Sequence, residues 1–281
     1  FRRVLFRSMA GIYIHIPFCK QACYYCDFHF STVTSKKDEM IKAIAKELFL
    51  RKLELKGEII ETIYFGGGTP SILTPFEINF LIQEVFKNYS VGKDAEITLE
   101  ANPDDLSENR IIELSKTQIN RLSIGVQSFF DDDLKMMNRA HNALESQACI
   151  KVAKQYFRNI SLDLIYGIPG MSIGRWKKNI EIALSFDVTH ISSYALTVEP
   201  KTVLDKLVRI GQMERPDENT TESHFRILVD MLKANHFIHY ELSNFGKENY
   251  FSKNNSSYWL GKMYIGIGPS AHSYDGISRS W

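Results

Sequence analysis

Three cysteines within eight residues, Cys19-Lys20-Gln21-Ala22-Cys23-Tyr24-Tyr25-Cys26, constrain this chain more than any other stretch. Thiols separated by three and then two residues converge only where the backbone loops around one object. Thiolates are soft ligands suited to iron–sulfur clusters and to zinc. A 4Fe-4S cluster normally takes four protein ligands, so three cysteines hold three irons and leave the fourth open, as catalytic metal sites do. Two alternatives stand beside this one: free thiols, and a zinc set of three cysteines and one histidine completed by His29, three residues after Cys26. A disulfide framework needs an even set and an oxidising compartment, and three clustered cysteines with no apolar leader supply neither. The remaining cysteine, Cys149, lies in a helical stretch and is expected to be a small core hydrophobe.

The cysteines follow the apolar run Gly11 to Ile16, which is rich in β-branched residues and reads as a buried strand. Lys36 to Leu55 places Met40, Ile41, Ile44, Leu48 and Leu55 at three- and four-residue intervals, an amphipathic helix. The alternation then repeats. Strands are expected at Glu61–Phe65, Ala95–Ala101, Ile119–Val126, Ile160–Tyr166 and His190–Leu196, separated by helices, with Thr74 and Ser107 as two of the N-caps. Six such units specify an α/β fold with a parallel sheet and right-handed crossovers, either doubly wound or a full or partial barrel. After Leu196 the pattern becomes mixed. Asn219–Asn235 reads as a helix, Tyr240–Phe245 and Met263–Ile267 as short strands, and the segment between them as a polar loop with an aromatic anchor.

Composition narrows the classes of partner. Hydrophobic residues at 44%, charged residues at 24% and a formal net charge of +1 describe an ordinary globular chain. They offer no general field for nucleic acid or an anionic membrane. No run approaches the roughly eighteen consecutive apolar residues of a membrane span, so the expectation is a cytoplasmic protein without an integral membrane segment. Residues 1–8 continue no periodic pattern and read as a leader outside the fold, with Met9 as the start of a core over 9–198. Residues 199–281 read as a carboxyl-terminal α+β extension packed on that core, truncated after Gly276–Trp281.

The punctuation of the strands carries the chemistry. The second strand ends in Gly66-Gly67-Gly68-Thr69-Pro70, glycines that allow close backbone approach. Glu100, Gln127 and Asp163 stand at the carboxyl ends of the third, fourth and fifth strands, and Arg139 follows one helix later. In barrels that end is the active-site face. A carboxylate, an amide and a guanidinium converging there suit a ligand with hydroxyls, an amine and a carboxylate.

Together with Tyr13-Ile14-His15-Ile16-Pro17-Phe18, Leu99-Glu100-Ala101-Asn102-Pro103, Gly125-Val126-Gln127-Ser128-Phe129, Asn138-Arg139 and Asp163-Leu164-Ile165-Tyr166-Gly167, these motifs resemble the radical S-adenosylmethionine (SAM) superfamily. Within it they are similar to the branch of oxygen-independent coproporphyrinogen III oxidases and HemW-type heme chaperones. The resemblance implies a partial (β/α)6 TIM-type barrel, a 4Fe-4S cluster on Cys19, Cys23 and Cys26, and SAM on its open iron. It places Tyr13 and Glu100 near the methionine end or a second SAM, and Gly67, Gly68 and Thr69 around the amino group. Tyr25 then faces the adenine with Ala195 against it, Gln127 and Asp163 hold the ribose, and Arg139 holds the carboxylate.

Oxidases of this branch carry a further cysteine two residues after the third cluster cysteine, where this chain has Phe28, as the chaperones do. The chaperones carry a His-Asn-x-x-Tyr-Trp signature implicated in heme binding. Here Asn255, Tyr258 and Trp259 match, while Asn254 replaces the histidine. An amide is a poor axial ligand for heme iron and imidazole a usual one, so Asn254→His is expected to tighten heme binding. His272, beside the turn Gly266-Ile267-Gly268-Pro269-Ser270-Ala271 on the ligand side of the same cavity, is a candidate substitute ligand. The resemblance implies a heme or porphyrin ligand, a heme-accepting respiratory protein, and an electron donor such as a flavodoxin or ferredoxin. The oxidase activity and a zinc-stabilised binding protein are the alternatives.

Overall fold

The computed structural model describes residues 9–55 and 57–281; the leader assigned to residues 1–8 lies outside them. Strand β1 (Met9–Ile16) is followed by α1 (Lys37–Leu50), β2 (Ile59–Gly67) by α2 (Pro75–Asn88), and β3 (Val91–Ala101) by α3 (Glu108–Ser115). Next come β4 (Arg121–Gln127) with α4 (Asp131–Met136) and α5 (Ala143–Tyr156), and β5 (Asn159–Tyr166) with α6 (Ile173–Ser185). Then β6 (His190–Ala195) leads to α7 (Val203–Arg209) and α8 (Glu218–Ala234). The short strands β7 (Ile238–His239) and β8 (Asn244–Gly246), helix α9 (Lys253–Trp259), and strands β9 (Tyr264–Ile267), β10 (Ser273–Tyr274) and β11 (Arg279–Ser280) follow.

Strands β1 to β6 pair in parallel and in chain order, as expected of six strand–helix units. The returning chain extends both edges. β9 lies parallel to β1, and β8 antiparallel to β6. The sheet therefore runs β11-β10-β9-β1-β2-β3-β4-β5-β6-β8-β7, and its two end strands are not paired with each other. This is the partial (β/α)6 barrel, left open at one seam.

Side-chain alternation divides each strand between two environments. Ile12, Ile14, Ile16, Ile63, Phe65, Leu99, Leu122, Ile124, Leu162 and Leu164 are all buried among the helices, each worth about 1.5–3 kcal/mol of transfer free energy. The opposite face is polar on every strand. It carries Tyr13, Tyr64, Glu96, Thr98, Glu100, Arg121, Ser123, Ser161, Asp163, His190 and Ser192, with hydrogen bonds between neighbouring strands that include Tyr64 to Glu100, Ser123 to Asp163 and Ser161 to His190. The usual barrel interior is layered with Val, Ile and Leu; here it is a hydrogen-bonded column beneath the strand ends.

Helix starts follow local chemistry. Thr74 and Glu77 form a reciprocal capping box with Pro75 at the first helical position, Asn142 and Glu145 form another, and Ser107 caps α3. Cys149 is buried, its thiol donating to the Ser146 carbonyl.

Three expectations are corrected. The strand expected over Tyr240–Phe245 is a hairpin, because the Glu241 carboxylate accepts from the Ser243 and Asn244 side of the turn and pairing starts only at Asn244. The helix expected to reach Leu55 ends at Leu50, where Arg51 closes onto the Glu47 carbonyl and its side chain pairs with Glu47 and Glu54. The polar loop expected around Asn254 is helix α9, started by the Ser252 hydroxyl accepting from the Asn255 amide.

Candidate metal and cofactor site

The cysteine loop leaves β1 at Ile16 and is held from three sides. Ser31 N donates to the Pro17 carbonyl at 2.8 Å and Cys19 N to the Ser31 carbonyl at 3.0 Å, folding the loop back on its own stem. From the strand β2 turn, Thr69 N donates to the Phe18 carbonyl at 2.7 Å. From the turn after α4, Asn138 Nδ2 donates to the Ala22 carbonyl at 2.7 Å, and Gln21 Nε2 returns a bond to the Asn138 carbonyl at 2.9 Å. Asn138 sits at φ 56°, a left-handed conformation that asparagine tolerates better than most residues. That turn delivers Arg139.

Cys19, Cys23 and Cys26 line one cavity of about 740 Å³ at the carboxyl ends of the strands. Also on its wall are Tyr25, Gly67, Gly68, Thr69, Glu100, Gln127, Arg139, Asp163 and Ala195. All the residues expected at the cluster and at SAM except Tyr13 therefore share one chamber. Tyr13 lies in the column below, stacked on Tyr64 with ring centres 6.0 Å apart. Gln127 adopts φ 65° where the β4–β5 register shifts, the kind of local strain found at binding sites.

Donors face two of the sulfurs. Thr69 Oγ1 lies 3.3 Å from Cys19 Sγ, and Arg139 Nη1 lies 3.2 Å from Cys23 Sγ. Arg139 Nη2 donates to Asn102 Oδ1 at 2.6 Å and to the Gly125 carbonyl at 2.9 Å. Burial raises the thiol pKa of Cys19, and raises that of Cys26 to about 11. Thiols held in this way become thiolates only against a strong electrophile such as a metal. Deeper in the cavity, burial lifts Glu100 to about 7, against the hydrogen bond from Tyr64, and the Asp163 charge adds to the rise. Burial lifts Asp163 to about 6, opposed by bonds from Ser192 and Ser123 and by the Arg121 charge.

The glycine turn works differently from the expectation of a bare ligand cradle. A Cβ on Gly68 would meet the Phe18 carbonyl at 2.7 Å, and one on Gly67, at φ 109°, would meet the His15 ring at 2.7 Å. The space that glycine vacates is filled by the stem of the cysteine loop, so these glycines let β1 and β2 close on each other while their backbone borders the cavity.

The zinc alternative finds no gathered ligand set. A tetrahedral ion with Zn–S of about 2.3 Å draws its sulfurs to within about 4 Å of one another. Among the described residues no three His, Cys, Asp or Glu side chains form such a group. His29 is exposed, with its ring centre 6.2 Å from that of His15, and its backbone carbonyl accepts from His15 Nε2 at 2.9 Å.

The chain matches the radical SAM superfamily over residues 13–183. It is 37% identical over 275 residues to the heme chaperone HemW of Bacillus subtilis (strain 168), covering 97% of this chain and 73% of that protein. The chain belongs to the radical SAM superfamily, in its HemW branch. The HemW of Lactococcus lactis subsp. lactis (strain IL1403) is 36% identical, with 93% and 69% covered. Among solved structures, coproporphyrinogen III oxidase (HemN) from Escherichia coli superposes with a TM-score of 0.83 at 22% identity, covering 96% of this chain and 65% of that one. That likeness is one of fold. Membership of the radical SAM superfamily implies a 4Fe-4S cluster and SAM. The donor set fits both, since two of the three sulfurs already receive hydrogen bonds of the kind thiolates accept.

The residues expected at heme lie elsewhere. Asn254 is 7% exposed at the start of α9, with its amide and that of Lys253 donating to the Glu96 carboxylate. Asn255 is half-buried, whereas Tyr258, Trp259 and His272 are exposed. None of these lines the cavity. The Gly266–Ala271 turn is likewise corrected: it packs on β1, where a Cβ on Gly268 would meet the His15 carbonyl at 2.7 Å.

Ser123, Tyr194 and Leu242 line the cavity without being marked in the sequence reading, and so does Asn102, which enters there only as part of the Leu99–Pro103 motif. For Ser123 and Tyr194 the signal is there: polar residues at every second position of β4 and β6. Leu242 comes from the hairpin between β7 and β8, and no local pattern marks it.

Proposed function

We propose that this chain is a HemW-type heme chaperone built on a radical SAM site. The observation that carries the reading is identity of 36–37% to proteins named heme chaperone HemW along nearly the whole of this chain. Phe28, in place of the further cysteine of the oxidases, supports it. Cys19, Cys23 and Cys26 hold the cluster. Gly67, Gly68 and Thr69 border the SAM amino group, Arg139 its carboxylate, Gln127 and Asp163 the ribose, and Tyr25 and Ala195 the adenine. Glu100, with Tyr13 beneath it, faces the methionine end. When bound, the cluster, reduced by the electron-donor protein, would supply one electron to the sulfonium of SAM; the protein positions the two groups and excludes water.

Heme is received on the exposed rings of α9 and the neighbouring turn, with Trp259, Tyr258 and Asn255 as contacts and His272 as the iron ligand. Buried Asn254 holds Tyr258 from behind through a side-chain hydrogen bond. The acceptor is a respiratory heme protein and the electron donor a flavodoxin or ferredoxin, both in the cytoplasm or at its membrane face. No described helix is long and apolar enough to cross a membrane.

The test incubates the reconstituted protein with coproporphyrinogen III, SAM and a reductant, and separately with heme and an apo-cytochrome. Heme transfer without decarboxylation supports the chaperone. Formation of protoporphyrinogen IX replaces that reading with the oxidase.

A further inference from the structure

Asn102 closes a ring of hydrogen bonds between two cysteines. From one side, Asn102 Nδ2 donates to Thr69 Oγ1 at 3.3 Å, and Thr69 Oγ1 lies 3.3 Å from Cys19 Sγ. From the other, Arg139 Nη2 donates to Asn102 Oδ1 at 2.6 Å, and Arg139 Nη1 donates to Cys23 Sγ at 3.2 Å. The direction of every bond is fixed by chemistry. A guanidinium has donors only, so the oxygen of the amide must face Arg139 and its NH2 group must face Thr69. The Thr69 hydroxyl then accepts from the amide, and its single proton is left for the sulfur.

The surroundings are built for this placement. Asn102 is pinned through its backbone, N donating to Ser71 Oγ at 3.2 Å and the carbonyl accepting from Asp105 N at 3.1 Å, which leaves its side chain to make the link. A Cβ on Gly125 would lie 3.3 Å from Arg139 Nη2 and 3.4 Å from Asn102 Oδ1, so the strand carries no side chain where the two meet.

We propose that Asn102 is a positioning residue for the iron–sulfur cluster: its amide joins Thr69 to Arg139 and commits one donor to Cys19 and another to Cys23. This rests on the reading of those cysteines as cluster ligands. Donors to ligating sulfur disperse its negative charge and favour the reduced cluster. An aspartate of the same shape would accept from both neighbours, take the Thr69 proton for itself and leave Cys19 without a donor.

The test compares wild type, N102A, T69V and the double variant, each reconstituted anaerobically, with iron content as the control for folding. Both single variants are expected to move the cluster midpoint potential downward. The double variant is expected to move it by less than the sum, because each change removes the same donor from Cys19. A wild-type potential in iron-loaded N102A, or strictly additive shifts, overturns the proposal. Should N102A take up no iron, N102D is measured in its place against the same two outcomes. Should wild type itself take up no iron, the cluster reading fails, and urea unfolding of the same four proteins decides the ring: zero coupling between N102A and T69V overturns it.

Discussion

Arg139 Nη1 stands 3.2 Å from Cys23 Sγ while the preceding residue, Asn138, holds the Ala22 carbonyl at 2.7 Å. One turn thus grips both the backbone and the sulfur of the cysteine loop, 116 positions earlier in the chain. Short strand-to-helix connections on a rigid sheet bring such distant groups into register, which is how barrel sites are assembled. We expect Arg139→Gln to weaken SAM binding about ten- to a hundredfold, the loss of one charge-assisted hydrogen bond. Equilibrium SAM titration of the reconstituted variant checks it; unchanged affinity removes Arg139 from the ligand's reach.

Two buried carboxylates set the pH response. Glu100 and Asp163 are held at about 7 and about 6, above their ordinary values of 4.5 and 3.8. The native protein therefore binds more protons than the unfolded chain between about pH 4 and pH 7, and stability falls as pH rises through that window. Ligand binding runs the other way, because ribose hydroxyls and a sulfonium prefer the ionised carboxylates. Glu100→Gln should be more stable than wild type at pH 8, by on the order of 2 kcal/mol, yet bind SAM more weakly. Urea melts at pH 5 and pH 8 give the sign; a wild type that is more stable at pH 8 on account of Glu100 contradicts it.

Gly68→Ala tests the closure of β1 on β2. The added methyl would sit 2.7 Å from the Phe18 carbonyl and 2.9 Å from that of Ile16, an overpacking expected to cost about 1–3 kcal/mol. Gly170→Ala is the contrast: φ is 78° but nothing lies within 4 Å, so only backbone strain of about 1–2 kcal/mol applies. A larger fall in Tm and in iron uptake is expected for Gly68→Ala than for Gly170→Ala.

The sequence pattern suggests Asn254→His as a gain of heme affinity, but position argues otherwise. At 7% exposure in the first turn of α9, an imidazole there would displace the contact to Tyr258 instead of reaching a ligand. We expect heme titration to show no tightening for Asn254→His and a loss of about tenfold or more for His272→Ala. Tightening in the former would place heme beneath the helix.

The six strand–helix units and the convergence of Cys19, Glu100, Gln127 and Asp163 were legible because period-two and period-3.6 patterns and strand-end punctuation are local signals. The fate of residues 199–281 was not. Whether β9 pairs with β1 depends on contacts some 250 positions apart, and whether Lys253–Trp259 coils depends on Glu96 meeting its first amides. The polar lumen lay in plain view as Glu96-x-Thr98-x-Glu100, Arg121-x-Ser123 and Ser161-x-Asp163, but such alternation ordinarily marks a solvent face. Only the curling of the sheet into a partial barrel turns it inward.

Anaerobic reconstitution with iron and sulfide, followed by iron, sulfide and zinc analysis of wild type and Cys23→Ser, tests the central claim most directly. The account expects about four irons per chain in wild type, retained on gel filtration and lost in Cys23→Ser. One tightly held zinc and no iron in wild type, or an undiminished cluster in Cys23→Ser, contradicts it.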